Sequence, residues 1–297
     1  MRRLRALRRL LVIAGVPAVI AIAPVEARGA AVLFGATAAG LPGELYILSS
    51  ATGAMLQDVG PLNDASGLNF GITGLAYNPI TGLLYGSTHN LDTADPATQA
   101  RLVTINPLTA RVTVIGPFNA GNTGSRPATM ADIAFDVLGN LYGVGTIGGP
   151  QLYSINQATG KATAIGSSGL TNTTGGGVDI SASGVVYGTP TDTRFGTYNP
   201  TTGAYTDIVD PPKPVGGAYA ALDFERSTDT LYGLDLGPAP ALESFLVIFN
   251  QTGAVTNVGA SVTGLDAIAF VPIPEPSAVA LIACGTVAFI RQRRRSE

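Results

Sequence analysis

From residue 31 to residue 272 apolar residues fall in short runs, alternating or continuous, separated by Gly, Asn, Thr and Pro. Runs of that length between turn formers predict strands and tight turns rather than helices. Three kinds of run recur. The first carries an aromatic-Gly pair: "VLFGAT" with Phe34-Gly35, "LLYGST" with Tyr85-Gly86, "NLYGVG" with Tyr142-Gly143, "VVYGTP" with Tyr187-Gly188 and "TLYGLD" with Tyr232-Gly233. A hairpin pattern follows each, in "LYILSSATGAMLQDVG", "LVTINPLTARVTVIG", "LYSINQATGKATAIG", "FGTYNPTTGAYTDIV" and "LVIFNQTGAVTNVG". Four of these turns end in Thr-Gly, where glycine accepts the positive φ of a tight turn, and Ala110 takes its place in the second. The third kind comprises "GLAYN", "DIAFD", "VDISA", "LDFER" and "AIAFV".

Equivalent markers return every 43 to 57 residues, so each unit holds four strands. Four strands at that period predict a propeller blade. The chain begins with a "VLFGAT" strand and its last such element is "AIAFV", so the first blade lacks one strand that the far end supplies. The expectation is an all-β, five-bladed β-propeller of about 20 strands, closed between its ends so that no sheet edge is left unpaired. A pair of β-sandwiches or an open β-solenoid could use the same strands. The aromatic of each aromatic-Gly pair is expected to pack between neighbouring blades, with ligand stacking as the alternative.

Charge sharpens the division of the chain. Only 12% of residues are charged, and nine of the 17 Lys and Arg lie at the ends: Arg2, Arg3, Arg5, Arg8, Arg9, Arg291, Arg293, Arg294 and Arg295. Between Arg28 and Pro274 there are 8 basic and 17 acidic residues, a net of −9. An acidic body excludes a nucleic-acid binder, which needs clustered cations to neutralise phosphates.

At the N-terminus arginines precede the apolar run "LLVIAGVPAVIAIA", and "PVEA" places small or aliphatic residues at Val25 and Ala27. This is the layout of a signal peptide, residues 1–27, cut by signal peptidase after Ala27; an uncleaved amphipathic or membrane helix is the alternative. The only cysteine, Cys284, lies near the C-terminus, so the body, residues 28–272, holds no disulfide and no thiol nucleophile.

Residues 273–297 have three parts: Pro274-Glu275-Pro276, the apolar "SAVALIACGTVAFI" and the cluster Arg291, Arg293, Arg294 and Arg295. This tail resembles the PEP-CTERM sorting signal of Gram-negative bacteria. The resemblance implies recognition and processing by an exosortase near Pro-Glu-Pro, then release to the cell surface or extracellular matrix. Before processing the expectation is a C-terminal transmembrane helix in the inner membrane, its arginines cytoplasmic and the body exported. The run is short for the hydrocarbon core, a gap that arginine snorkelling or local thinning can close.

Catalytic motifs are absent. His89 is the only histidine, and there is no Gly-x-Ser-x-Gly elbow, His-Glu-x-x-His helix or phosphate loop. Asp132, Asp179, Asp223 and Asp266 fall in or beside the third element of four units. If that strand is innermost they could surround the axial channel as a ligand or cation ring, calcium being the cofactor such oxygens would take. Alternatively each caps a turn or bonds a neighbouring amide. Asp179 and Asp223 share one register, Asp132 stands two positions earlier and Asp266 three. The function expected is a non-enzymatic binding or matrix module without a cofactor, its partners an extracellular polysaccharide or a surface protein. The alternative is a propeller enzyme of lactonase or polysaccharide lyase type, using channel aspartates and a cation.

Overall fold

The computed structural model describes residues 31–38, 41–88, 100–119, 122–123, 126–127, 129–145, 150–171, 176–190 and 194–272. The proposed signal peptide with Val25 and Ala27, His89, and the tail with Pro274, Glu275, Pro276 and its arginines lie outside the described residues. So does the expected transmembrane helix. No helix among the described residues is long and apolar enough to cross a membrane.

Twenty strands form five four-stranded antiparallel sheets, each ordered from inside outwards. Blade 1 joins both ends of the body: β22 (Leu265–Pro272), β1 (Ala31–Thr37), β2 (Glu44–Leu48) and β3 (Met55–Pro61). Blade 2 holds β4 (Ile72–Tyr77), β5 (Leu84–Thr88), β6 (Arg101–Ile105) and β7 (Val112–Pro117). A small hairpin, β8 (Asn122–Thr123) with β9 (Arg126–Pro127), precedes blade 3: β10 (Met130–Phe135), β11 (Leu141–Gly145), β12 (Gln151–Ile155) and β13 (Ala162–Ala164). Blade 4 is β14 (Val178–Ile180), β15 (Val186–Gly188), β16 (Phe195–Tyr198) and β17 (Tyr205–Val209). Blade 5 is β18 (Ala218–Glu225), β19 (Thr230–Leu236), β20 (Ser244–Phe249) and β21 (Val255–Ala260). The five-bladed propeller expected from the repeats is thus present, and the sandwich and solenoid alternatives are excluded. Closure runs through β22 and β1, in register from Ala31 opposite Pro272 to Ala36 opposite Ala267.

Among the described residues there is no single core. Five apolar clusters fill the five spaces between consecutive blades. Phe34 and Ala269 meet Ile72 and Leu75 between blades 1 and 2, and Tyr85 and Leu102 meet Ile133 and Phe135 in the next space. Val144 and Leu152 meet Val178 and Ile180, Tyr187 and Phe195 meet Leu222 and Phe249, and Leu234 and Leu246 meet Leu33 and Ile268. Each fully buried aliphatic or aromatic side chain contributes about 1.5–3 kcal/mol, so cohesion is shared round the ring.

The aromatic-Gly pairs serve this packing. Tyr85 meets Phe135 of the next blade edge-on at 5.2 Å between ring centres, Tyr187 meets Phe224 at 5.8 Å, and Tyr232 meets Phe270 at 4.9 Å. The glycine beside each ring leaves a slot for a large side chain of the third strand. A Cβ on Gly188 would lie 2.5 Å from the Tyr198 ring, and one on Gly233 equally close to Phe249. The rings therefore act as inter-blade packing.

Hairpin tips are set locally. Asn156 Oδ1 accepts from the N–H groups of Ala158 and Thr159 at 2.9 and 3.1 Å, and Asn199 does the same for Thr201 and Thr202 at 2.9 and 3.0 Å. The turns close at Gly160 (φ 78°) and Gly203 (φ 74°), while Ala110 adopts the same conformation at φ 55°.

Candidate functional site

The innermost strands β22, β4, β10, β14 and β18 surround the axis, and the glycine of each aromatic-Gly pair gives them a common register. Opposite Gly35, Gly86, Gly143, Gly188 and Gly233 stand Ile268, Leu75, Ile133, Val178 and Leu222. Asp179 and Asp223 come one residue after this position, Asp132 one before and Asp266 two before. The aspartates thus occupy three levels along the axis and form no planar ring.

Three of them spend their oxygens on neighbouring strands. Asp132, fully buried, accepts from the N–H of Ile133 through Oδ1 at 2.9 Å. Through Oδ2 it accepts from Val178 N–H in blade 4 at 2.9 Å and from Leu222 N–H in blade 5 at 3.1 Å. One carboxylate thereby joins three inner strands. Asp179 Oδ2 accepts from Phe224 N–H at 2.6 Å, and Asp223 Oδ2 accepts from Phe270 N–H at 2.8 Å, each bond reaching the next blade. Inner edges that face an axis have unpaired amides, and these side chains satisfy them.

Several contributors carry no repeated sequence signal. Arg226 Nη2 donates to Phe135 O at 3.0 Å and lies 3.4 Å from Asp179 Oδ1, so a blade 5 side chain ties blade 4 to blade 3. Thr73 Oγ1 donates to Met130 O of the next blade at 2.8 Å, and Thr189 Oγ1 likewise to Tyr219 O at 3.1 Å. Gly74 is needed for Asp132 to enter: a Cβ there would lie 2.7 Å from both Asp132 Cα and Oδ1. Off the axis, buried Asp235 accepts from Val215 N–H at 2.9 Å, while Lys213 donates to Gly217 O and Tyr219 to Pro212 O, pinning the connection into blade 5.

Burial dominates the electrostatics. It pushes the Asp132 carboxyl well above the ordinary aspartate range although three amides pull the other way. Burial and then the nearby charge of Asp179 raise Asp223 well above that range. Asp179 is also raised by burial, against the opposing pull of Arg226. Asp266 is half-buried, yet the protein around its carboxyl pushes it up to about 7.

This donor set does not suit calcium. Both oxygens of Asp132, Oδ2 of Asp179 and Oδ2 of Asp223 accept from backbone N–H groups, a guanidinium stands among the carboxylates, and the acids are staggered along the axis. Among the described residues no group of three or more His, Cys, Asp or Glu side chains is placed to hold a metal ion.

The raised carboxyls have a consequence for pH. A group whose folded pKa exceeds its unfolded value binds its proton more tightly when folded, so stability declines as pH rises from the unfolded value through the folded one. For Asp266 that window runs from 3.8 to about 7, with a limiting slope of about 1.4 kcal/mol per pH unit for one proton. Urea titrations are expected to give a higher midpoint at pH 5 than at pH 8, and Asp266→Asn is expected to reduce the difference. A midpoint that rises steadily from pH 5 to pH 8 would contradict this assignment.

Among known structures, a chain of the Nidogen/Laminin complex is similar at 12% identity and a TM-score of 0.51, covering 82% of this chain and 98% of that one. A protein of unknown function from Bacteroides caccae is 13% identical, with 83% and 100% coverage and a TM-score of 0.49. TolB from Acinetobacter baumannii is 12% identical, with 83% and 68% coverage and a TM-score of 0.43. The first supports the propeller architecture and nothing finer. No curated protein matches the sequence. Residues 35–222, from the first aromatic-Gly pair to the inner strand of blade 5, match one family over more than half the chain. The chain belongs to the family described as "Repeat of unknown function (DUF6923)".

Proposed function

We propose that this protein is an exported bacterial surface protein, sorted through its PEP-CTERM-like tail, whose propeller is a non-enzymatic module for binding an extracellular polysaccharide or a surface protein. The observation that carries the binding half is the use made of the axial carboxylates. Three of the four axial aspartates, Asp132, Asp179 and Asp223, serve backbone amides of neighbouring blades, so these carboxylates hold the ring together rather than standing free for acid, base or cation chemistry. A rigid ring with such an axis is suited to presenting loops. The similar propeller in the Nidogen/Laminin complex comes from a structure of two associated proteins, which is consistent with this use of the fold.

Export and sorting rest on the two ends of the sequence. The test is peptide mapping of both termini of the protein recovered from the surface and medium of its native host. A mature chain beginning at Arg28 and ending within Pro274 to Pro276 is expected; a chain still carrying "RQRRR" would remove the processing step. The same recovered protein is expected to bind the host's purified surface polymer saturably and to leave lactones and uronic-acid polymers unchanged. Turnover of either substrate would replace the binding reading with an enzymatic one.

A further inference from the structure

Both ends of the body leave the propeller on one face. Ala31 is paired with Pro272, so the start of β1 and the end of β22 stand where the other blades have their innermost turns. Inner strands run in one direction round the ring, so this face also carries turns 78–83, 136–140, 181–185 and 226–229 and the five hairpin tips. Asn78 Nδ2 donates to Gln157 Oε1 at 2.8 Å, joining an inner turn of blade 2 to the hairpin tip of blade 3 on that surface.

Exposed apolar side chains gather there, although tight turns are ordinarily polar. Leu108 is 85% exposed, Leu138 76% and Ile80 67%, and Leu83, Val137 and Val185 accompany them. Ile80 lies against the turn that holds Val137 and Leu138, since a Cβ on Gly139 would be 2.9 Å from Ile80 Cγ1. Among the described residues the opposite face exposes Leu41 at 37%, while Met55, Leu56, Val114, Ile208 and Val209 are exposed along the outer strands β3, β7 and β17. Charges in and beside the turns of the apolar face balance, with Arg111, Lys161 and Arg226 against Asp136, Glu225 and Asp229. The acidic excess of the body therefore lies elsewhere and does not repel an anionic surface here.

The sequence says what can meet this face. Residues 273–276 are all that separate Pro272 from the apolar run beginning at Ser277. Five Cα steps span at most about 18 Å even when fully extended. Whatever takes up the apolar run must therefore lie close to this face. We infer that the face bearing Ile80, Leu108, Val137 and Leu138 rests in the interfacial zone of a lipid bilayer while the tail is inserted, its apolar turns reaching the boundary between headgroups and acyl chains. This inference rests on the membrane-anchored stage of the proposed function. The orientation turns the opposite face, with connections such as 62–71 and 210–217, towards the exterior, where a polymer or protein partner would be met.

The chain has no tryptophan, so single-tryptophan reporters are unambiguous. Full-length Leu138→Trp, Leu108→Trp and Leu41→Trp are reconstituted into vesicles of phosphatidylcholine and phosphatidylglycerol with acyl chains brominated near the headgroup. The sites are exposed, and two reporters on the apolar face guard against one failing to fold. In vesicles that float with the protein, emission at 138 or 108 is expected to fall to about half or less, while emission at 41 is unchanged, as for side chains buried ~5–10 Å into the interface. Protein that does not float removes the anchored stage and this inference with it. Flotation with no quenching at 138 or 108 leaves the anchor standing and overturns the orientation alone. A blue shift at 138 that depends on protein concentration without quenching also overturns it, assigning the face to a second copy.

Discussion

Asp132→Ala is expected to lower the stability of the propeller by roughly 3–6 kcal/mol, near the whole margin of a modest domain. The carboxylate satisfies three amides, those of Ile133, Val178 and Leu222, and the last two belong to other blades. Alanine leaves all three buried donors without an acceptor, at about 1–3 kcal/mol each. Two terms bring the sum towards the lower end: donors in one network are not additive, and removing a carboxyl whose pKa burial has raised recovers its desolvation cost. Asp132→Asn retains one acceptor oxygen but turns an N–H group towards the remaining donors, so it should fall between wild type and alanine. Urea denaturation followed by circular dichroism measures the series, with Asp207→Ala on the exposed outer strand β17 as a control expected within about 0.5 kcal/mol. An Asp132→Ala midpoint equal to that of the control would show that the axial bonds contribute nothing to cohesion.

Gly160→Val should be damaging for a different reason. Gly160 has φ 78°, and a Cβ on it would lie 2.4 Å from the Gly116 carbonyl oxygen of blade 2, with backbone on both sides of the contact. The left-handed conformation alone costs a β-branched residue about 1–2 kcal/mol, and parting blades 2 and 3 brings the expected loss to about 3 kcal/mol or more. Position 110 supplies the contrast. Ala110 has φ 55° at the equivalent turn and its methyl is fully buried, so the blade there already accommodates a Cβ. Ala110→Gly relieves about 1 kcal/mol of backbone strain and forfeits about 0.8 kcal/mol of methyl burial, and it should melt close to wild type. If Gly160→Val melts there too, close approach between hairpin tips is not a constraint on the ring.

Part of this architecture is legible in the chain itself. The aromatic-Gly pairs, the Thr-Gly hairpins and the displaced strand at Leu265–Pro272 defined five blades and their closure, because strand period and turn chemistry are local properties of the chain. The register of the four aspartates was equally legible, and the inner-strand pairings reproduce its offsets. Their partners were not. Asp132 bonds residues 46 and 90 positions away, and no local pattern marks which amide of a distant inner strand lacks a partner. Arg226 was invisible for the same reason, since its anchor at Phe135 is 91 residues distant. Gly74 gave no hint either, because its lack of a side chain is explained only by the carboxylate occupying that space.

By itself, then, the sequence determined the strands, their number, the closing of the ring and the acidic, low-charge character of the body. Only the tertiary structure decided that the axial acids join blades, and that the apolar turns share a face with both ends of the body. Strand and turn preferences act between neighbours a few residues apart, whereas the axis and the faces exist only once five separate sheets have been brought round to meet.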